Sequence, residues 1–161
     1  EYDRQFVRYR FLTRNLQTGE ESVLVDTSEN FVMTVDPHRS GGQYAVYQVD
    51  RSLYVYDLEK QAAKKLFTYE QNWDFYNYMI LDGHVIAICG TENVCRVWAI
   101  DIADEVVTEL DTRSGNVMIF STDYECDGYF KGLLTEPSGN VEVCYISKED
   151  FYRSNYDGAF H

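Results

Sequence analysis

Cysteine, histidine and clustered carboxylates are the side chains that build a metal centre or an acid–base pair, and this sequence supplies four cysteines and three histidines. Cys89, Cys95, Cys126 and Cys144 include no Cys-x-x-Cys pair, and His38, His84 and His161 are scattered along the chain, so no zinc site is expected. Asp123, Glu125 and Asp127 lie close together but lack the alternating oxygen-ligand spacing of a calcium loop, and read as a solvated bend. The sequence has no Gly-rich phosphate cradle, no Gly-x-Ser-x-Gly elbow and no Ser/His/Asp order suited to nucleophilic attack. The expectation is a chain that is not an enzyme and needs no cofactor.

Two further groups of residues have a chemical reading and a structural one. His84 has many carboxylates near it in sequence, but in the repeat described below it aligns with Gly42 and Tyr129, the place of a residue that opens a strand rather than of a general base. Cys89, Cys95 and Cys144 fall in slots filled in other units by Tyr47, Leu53 and Tyr56, which makes them core fillers. A Cys89–Cys95 bridge across a hairpin is the other reading, and Cys126, in a polar stretch, is the candidate exposed thiol. An even count at unpatterned spacing fits either side of a membrane, with an extracytoplasmic location favoured of the two.

The elements that must position these residues are strands. With 161 residues and 45% hydrophobic content the chain can bury one core without staples. Its 16% aromatic share, led by 14 Tyr against only 2 Pro, favours pleated sheets over helices. No apolar run approaches the roughly 18 residues of a membrane span. Opening on Glu1 rather than Met, the chain is expected to have lost a leader or a larger upstream region, or to start where it was cut for expression. Fourteen basic against 27 acidic residues give a net charge of -13, which repels nucleic acid and anionic lipid at long range. That charge suits either a solubilising shell or a docking surface for a basic protein or cations.

A repeat governs the rest. Leu12-Thr-Arg-Asn-Leu16 with Ser22-Val-Leu-Val25 aligns on Tyr54-Val-Tyr-Asp-Leu58 with Lys64-Lys-Leu-Phe67 at a spacing of 42, and a second step of 42 carries Val55-Tyr56 onto Val97-Trp98. Glu105 to Leu110 then repeats the closing strand, with two extra residues expected in the turn. Gly41, Ala45 and Val46 map onto Gly83, Ala87 and Ile88 at the same spacing, and steps of 45 and 46 reach a weaker copy at Asp127-Gly128, Gly132 and Val143. The second unit predicts strands at Phe31 to Val35, Gln43 to Val49, Leu53 to Leu58 and Lys64 to Thr68. The third predicts Asp74 to Leu81, His84 to Cys89, Val94 to Ile100 and Glu105 to Leu110.

Turn residues such as Asp82-Gly83 and Glu136-Pro-Ser-Gly-Asn140 punctuate these strands. Four short antiparallel strands repeated every 40-odd residues describe a β-propeller blade. The third strand of each unit is apolar on both faces: Leu53, Val55, Cys95, Val97, Val141 and Val143 on one, and Tyr54, Tyr56, Leu58, Trp98, Ile100, Cys144 and Ile146 on the other. Such a sheet must be covered on both sides, and at roughly 25 cal/mol per Å² that burial is the main stabiliser. The small residues Ala45, Ala87 and Gly132 are expected to let a strand pack near a crowded axis.

Tyr54-Val-Tyr-Asp-Leu-Glu59 followed by Lys65-Leu66, with the same pattern starting at Leu12, resembles the blade repeat of TolB-like and prolyl-oligopeptidase-type propellers. Asp82-Gly-His84 through Arg96-Val-Trp98 is similar to a WD repeat, although Ala99 stands where that pattern has Asp. The resemblance spans residues 6 to 147 and implies an interaction module, or the propeller part of a peptidase, hydrolase or carbohydrate-binding protein whose catalytic residues lie outside this chain.

The expected domain is thus a single partial propeller over 1–161, with units near 1–27, 28–69, 70–111 and 112–161. The first unit holds two strands and the last three plus a tail, about three and a half blades. Natural propellers close with four to eight, so a protein partner, a second copy or further chain is expected to complete the ring, making this an oligomer or part of a larger propeller. The tail from Ser147 carries a helix-capping pattern and equally suits an outermost strand. In a propeller, connections between units and turns joining each middle strand pair emerge on one face. The candidate binding residues there are Asp50, Arg51, Trp73, Asp74, Glu92, Asn93 and Arg113, with Trp73 either an aromatic anchor or a first-strand core residue aligned with Phe31.

Overall fold

The computed structural model describes residues 8–29, 31–34, 43–69, 74–91, 94–110, 117–118, 125–135 and 138–160. Among the described residues, fourteen strands and one short α-helix make an all-β structure, in four separate antiparallel sheets taken in chain order. The first sheet is the pair β1 (Tyr9–Arg14) and β2 (Glu21–Thr27). The second runs β3 (Phe31–Thr34), β4 (Tyr44–Val49), β5 (Ser52–Asp57) and β6 (Ala62–Thr68), each strand bonded to its successor. The third repeats this order with β7 (Asp74–Leu81), β8 (His84–Thr91), β9 (Val94–Asp101) and β10 (Val107–Leu110). No sheet closes on itself among the described residues.

One turn chemistry joins the third strand to the fourth. Asp57 Oδ1 accepts the N–H groups of Glu59 (3.0 Å) and Lys60 (2.9 Å), and Asp101 Oδ1 accepts those of Ala103 and Asp104 (both 2.7 Å). In the first sheet Asn15 Oδ1 does the same for Gln17 (2.9 Å) and Thr18 (3.1 Å). Four residues after each of these, Gly19, Gln61 and Glu105 take the left-handed conformation that lets the chain return. The turns in the second and third sheets are therefore the same length, and the two extra residues expected in the Asp101 turn instead lengthen β9. Leu58 belongs to the turn rather than to β5 and is exposed. Asp82-Gly83 and Asp127-Gly128, all with positive φ, make the hairpins between first and second strands.

The fourth sheet departs from the pattern. Its first-strand lane is split into β11 (Val117–Met118) and β12 (Glu125–Cys126), both paired to β13 (Tyr129–Thr135). Between those pairings β13 advances only from Phe130 to Leu133, whereas the other lane spends residues 119–124. On its far side β13 pairs with β14 (Val141–Ser147). Ser147 sits at the register position of Asp101, and its Oγ likewise accepts a backbone N–H, from Asp150 at 3.0 Å. Here the bond caps a helix, α1 (Lys148–Tyr152), instead of starting a hairpin. A 3-10 turn (Tyr156–Gly158) follows, and Phe160 then exchanges two backbone bonds with Tyr145 (2.7 and 2.9 Å). Of the two expectations for the tail the capped helix is the one met at Ser147 to Tyr152, and Phe160 adds a single bridge in the lane that β6 and β10 fill earlier.

Among the described residues, three apolar cores lie between successive sheets. Ala45, Tyr47 and Tyr56 meet Phe11, Leu24 and Val25 of the first sheet. From the opposite face of the second sheet Val46, Leu53 and Val55 meet Tyr78, Ile80, Val85 and Trp98 of the third. The third sheet's other face, with Met79, Leu81, Ile86 and Ala99, packs on Phe130, Cys144, Ile146 and the helix residue Phe151. The period-two alternation of β5 and β9 supplies the two greasy faces. Each fully buried side chain of this kind contributes about 1.5–3 kcal/mol.

The small residues have a local reason in the strand pairing. Ala45 lies directly opposite Tyr56 and Ala87 opposite Trp98, so each makes room for the ring across the strand pair; Gly132 opposes Cys144. Cys144 is buried with a free thiol, whose pKa burial raises. Cys95 pairs with Gly90 and Cys89 with Arg96, one step out of the directly opposed register that a cross-hairpin bridge would use.

Candidate functional site

Of the candidate binding residues the structure describes Asp50, Arg51 and the backbone of Asp74. Asp50 and Arg51 form the turn from β4 to β5, where Asp50 has positive φ and Gln48 Nε2 donates to its carbonyl at 2.6 Å. Both side chains are exposed, with Arg51 Nε 3.9 Å from Asp50 Oδ2. Tyr69 N–H donates to the Arg51 carbonyl (3.3 Å), and the hydroxyls of Ser52 and Thr68 meet at 3.0 Å, so the connection leaving β6 starts beside this turn. Asp74 opens β7 opposite Gly90, and Thr91 pairs with Val94, so Asp74 lies at the end of the third sheet where β8 and β9 are joined. Trp73, Glu92, Asn93 and Arg113 lie outside the described residues, as does the side chain of Asp74.

The opposite end is occupied by α1. Lys148 Nζ contacts Asp82 Oδ1 at 2.6 Å and lies 5.6 Å over the Phe130 ring. His84 stacks on Tyr152 with centroids 4.3 Å apart, donates through Nδ1 to the Asp82 carbonyl (2.8 Å), and places Nε2 3.6 Å from Asp101 Oδ2. Tyr152 OH donates to the Leu81 carbonyl at 3.4 Å. His84 therefore opens β8 and seats the helix. Between the second and third sheets, Lys64 Nζ bonds the Ile102 carbonyl and Glu105 Oε1, both at 2.9 Å.

Backbone donors set the electrostatics of this end. The Asp104 N–H holds the Asp101 carboxyl below the usual range against the opposing effect of burial, with a lesser contribution from the Ala103 N–H. The Lys60 N–H does the same for Asp57, and Ser147 with Asn155 for Asp150.

The two outermost sheet faces differ in character. On the last sheet Tyr129 (40% exposed), Val141 (56%), Val143 (51%) and Phe160 (49%) share the side away from the third sheet. Phe160 stacks on Tyr145 (5.8 Å) and meets Tyr129 edge-on (5.5 Å). The expectation that the third strand is covered on both faces thus fails for β14. On the first sheet Leu12 (42%) and Val23 (55%) form an exposed cross-strand pair. Ion pairs flank it: Arg14 with Glu21 at 4.0 Å, Arg10 with Asp26 at 3.3 Å, and Arg8 with Asp26. The weak hydropathy of residues 148–160 hid the contribution of Phe160; its one signal was an aromatic at strand-like distance after a helix cap.

Among the described residues, no three His, Cys, Asp or Glu side chains come together as a metal-ligand set, and no helix is long and apolar enough to cross a membrane. No protein-family model and no curated protein matches the chain. Among solved structures it is similar to TolB from Acinetobacter baumannii, at 10% identity and a TM-score of 0.47, over 89% of this chain. The chain spans 40% of the length of that TolB chain.

Proposed function

We propose that these sheets are successive blades of a β-propeller, about three and a half of them here, and that the propeller is a non-catalytic module for protein binding or scaffolding. The observation that carries this reading is that the second and third sheets are each buried on both faces by their neighbours in chain order. Radial piling of four-stranded meanders requires that burial, and the second and third sheets are each such a meander, complete within its own stretch of chain. The partner-facing end is the one where the Asp50-Arg51 turn meets the connection leaving β6, because exposed turns on a rigid scaffold are free to vary without disturbing the cores.

A photo-crosslinking residue placed at Arg51, with a control at Glu59 in the β5–β6 turn at the opposite end, tests the reading in the protein's own cellular extract. Protein adducts from position 51 and none from 59 are expected. Equal labelling from both positions would remove the assignment of the binding end.

A further inference from the structure

The sequence holds three Asp-Gly pairs, Asp82-Gly83, Asp127-Gly128 and Asp157-Gly158, and no Asn-Gly. Glycine, lacking a Cβ, leaves its backbone nitrogen open to the carboxyl of the preceding aspartate. When that nitrogen attacks the aspartate Cγ, a C–N bond forms, a C–O bond breaks and one water leaves, giving a cyclic imide. Water then reopens the ring at either carbonyl. One opening restores aspartate; the other leaves isoaspartate, with the main chain routed through the side-chain carboxyl and the α-carboxylate free. The net change is an isomerisation that consumes no oxidant, reductant or cofactor.

The fold treats the three pairs differently. At Asp82 the carboxylate is tied to Lys148 Nζ at 2.6 Å, so it must leave that ammonium before it can swing toward Gly83. At Asp157 the nitrogen is the restrained partner, since the Gly158 N–H donates to the Asn155 carbonyl at 3.2 Å. Space is short there as well: a Cβ on Gly158 would lie 2.7 Å from Asp150 Oδ2. Asp127 and Gly128 are both exposed, with φ of 45° and 87°, in the two-residue turn between Cys126 and Tyr129. Among the described residues the Asp127 carboxylate has no hydrogen bond or ion pair, and the Gly128 N–H has no acceptor. Nothing lies within 4 Å of where a Gly128 Cβ would stand, so the ring has room to form.

We infer that Asp127-Gly128 is a site of covalent self-modification, at which this chain converts aspartate to isoaspartate through the imide. The inference does not depend on the propeller reading. The product adds one carbon to the main chain next to the Gly128 carbonyl, which accepts the N–H of Lys148, the first residue of α1, at 3.0 Å.

The folded full chain, held at neutral pH and body temperature for weeks, tests this. Its digest is read by electron-transfer fragmentation, which tells isoaspartate from aspartate at equal mass. Enzymatic methylation of the free α-carboxylate from a labelled sulfonium donor counts the same product. Isoaspartate should build up about tenfold faster at 127 than at 82, the ratio of rates that one lost charge-assisted hydrogen bond gives, and faster than at 157. In urea the three rates should converge. Lys148→Met should raise the rate at 82 toward that at 127, and Asp127→Ser should remove most of the methylation. Equal rates at the three pairs of the folded chain, or a faster rate at 82 or 157, overturn the inference. So does an absence of isoaspartate at 127 under conditions in which the urea-unfolded chain forms it, or an ordering that persists unchanged in urea. An unchanged rate at 82 in folded Lys148→Met overturns it too, since the ordering would then not come from the ion pair.

Discussion

Asp57 and Asp101 end their strands with a carboxylate that accepts two backbone N–H groups, and the value of that arrangement is measurable at Asp101. Asp101→Ala leaves two turn donors without their acceptor and should cost about 1 kcal/mol in urea unfolding, by analogy with helix-cap losses. Asp101→Asn keeps an acceptor, as Asn15 does in the first sheet, and should cost less than half as much. The two variants separate further with pH. Because the folded carboxyl titrates below its unfolded value, its contribution is fully present above the ordinary carboxylate pKa and is lost as pH falls through the lowered one. Asp101→Asn should therefore flatten the acid side of the stability curve below about pH 4. Much of this was legible: the spacing of 42 aligns Asn15 with Asp57. The equivalence of Asp101 was not, since the constant spacing lands on Ala99, and only the longer pairing of β8 with β9 moves the turn two residues on.

Strand placement was easiest to read where alternation and turn residues agree, as in β7, which spans the residues the pattern predicts. The fourth sheet was harder. Its first lane is described only as the two-residue strands Val117–Met118 and Glu125–Cys126, and runs of two residues give no period to detect. The pairing of small with large residues was also hidden, since it depends on which positions lie opposite rather than on spacing along one strand. It carries a test: Ala87 is fully buried across from Trp98, so Ala87→Leu should force the indole from its place and destabilise by about 1–3 kcal/mol. Chemical denaturation gives the loss, and near-ultraviolet circular dichroism should show the changed surroundings of the ring. A neutral result would mean that the second and third sheets can part without penalty, contrary to the core they share.

Across the whole molecule, stability should follow the order of covering. The middle strands β4, β5, β8 and β9 have bonded neighbours on both edges and packed sheets on both faces, whereas β1 and β2 have one covered face. Amide hydrogen exchange should therefore be slowest in those four strands and at least tenfold faster in the first sheet, a gap of about 1.4 kcal/mol in local opening. Uniform exchange would point to one cooperative block instead. Among the described residues no sheet borrows a strand from a distant stretch of sequence, since each is built from consecutive segments. A nascent chain leaving the ribosome can therefore complete each meander before the next has been translated, without waiting to close a long loop. Until its successor is synthesised, however, each finished meander shows a bare oily surface to the cytosol or lumen, and these pauses are when a chaperone would have something to hold.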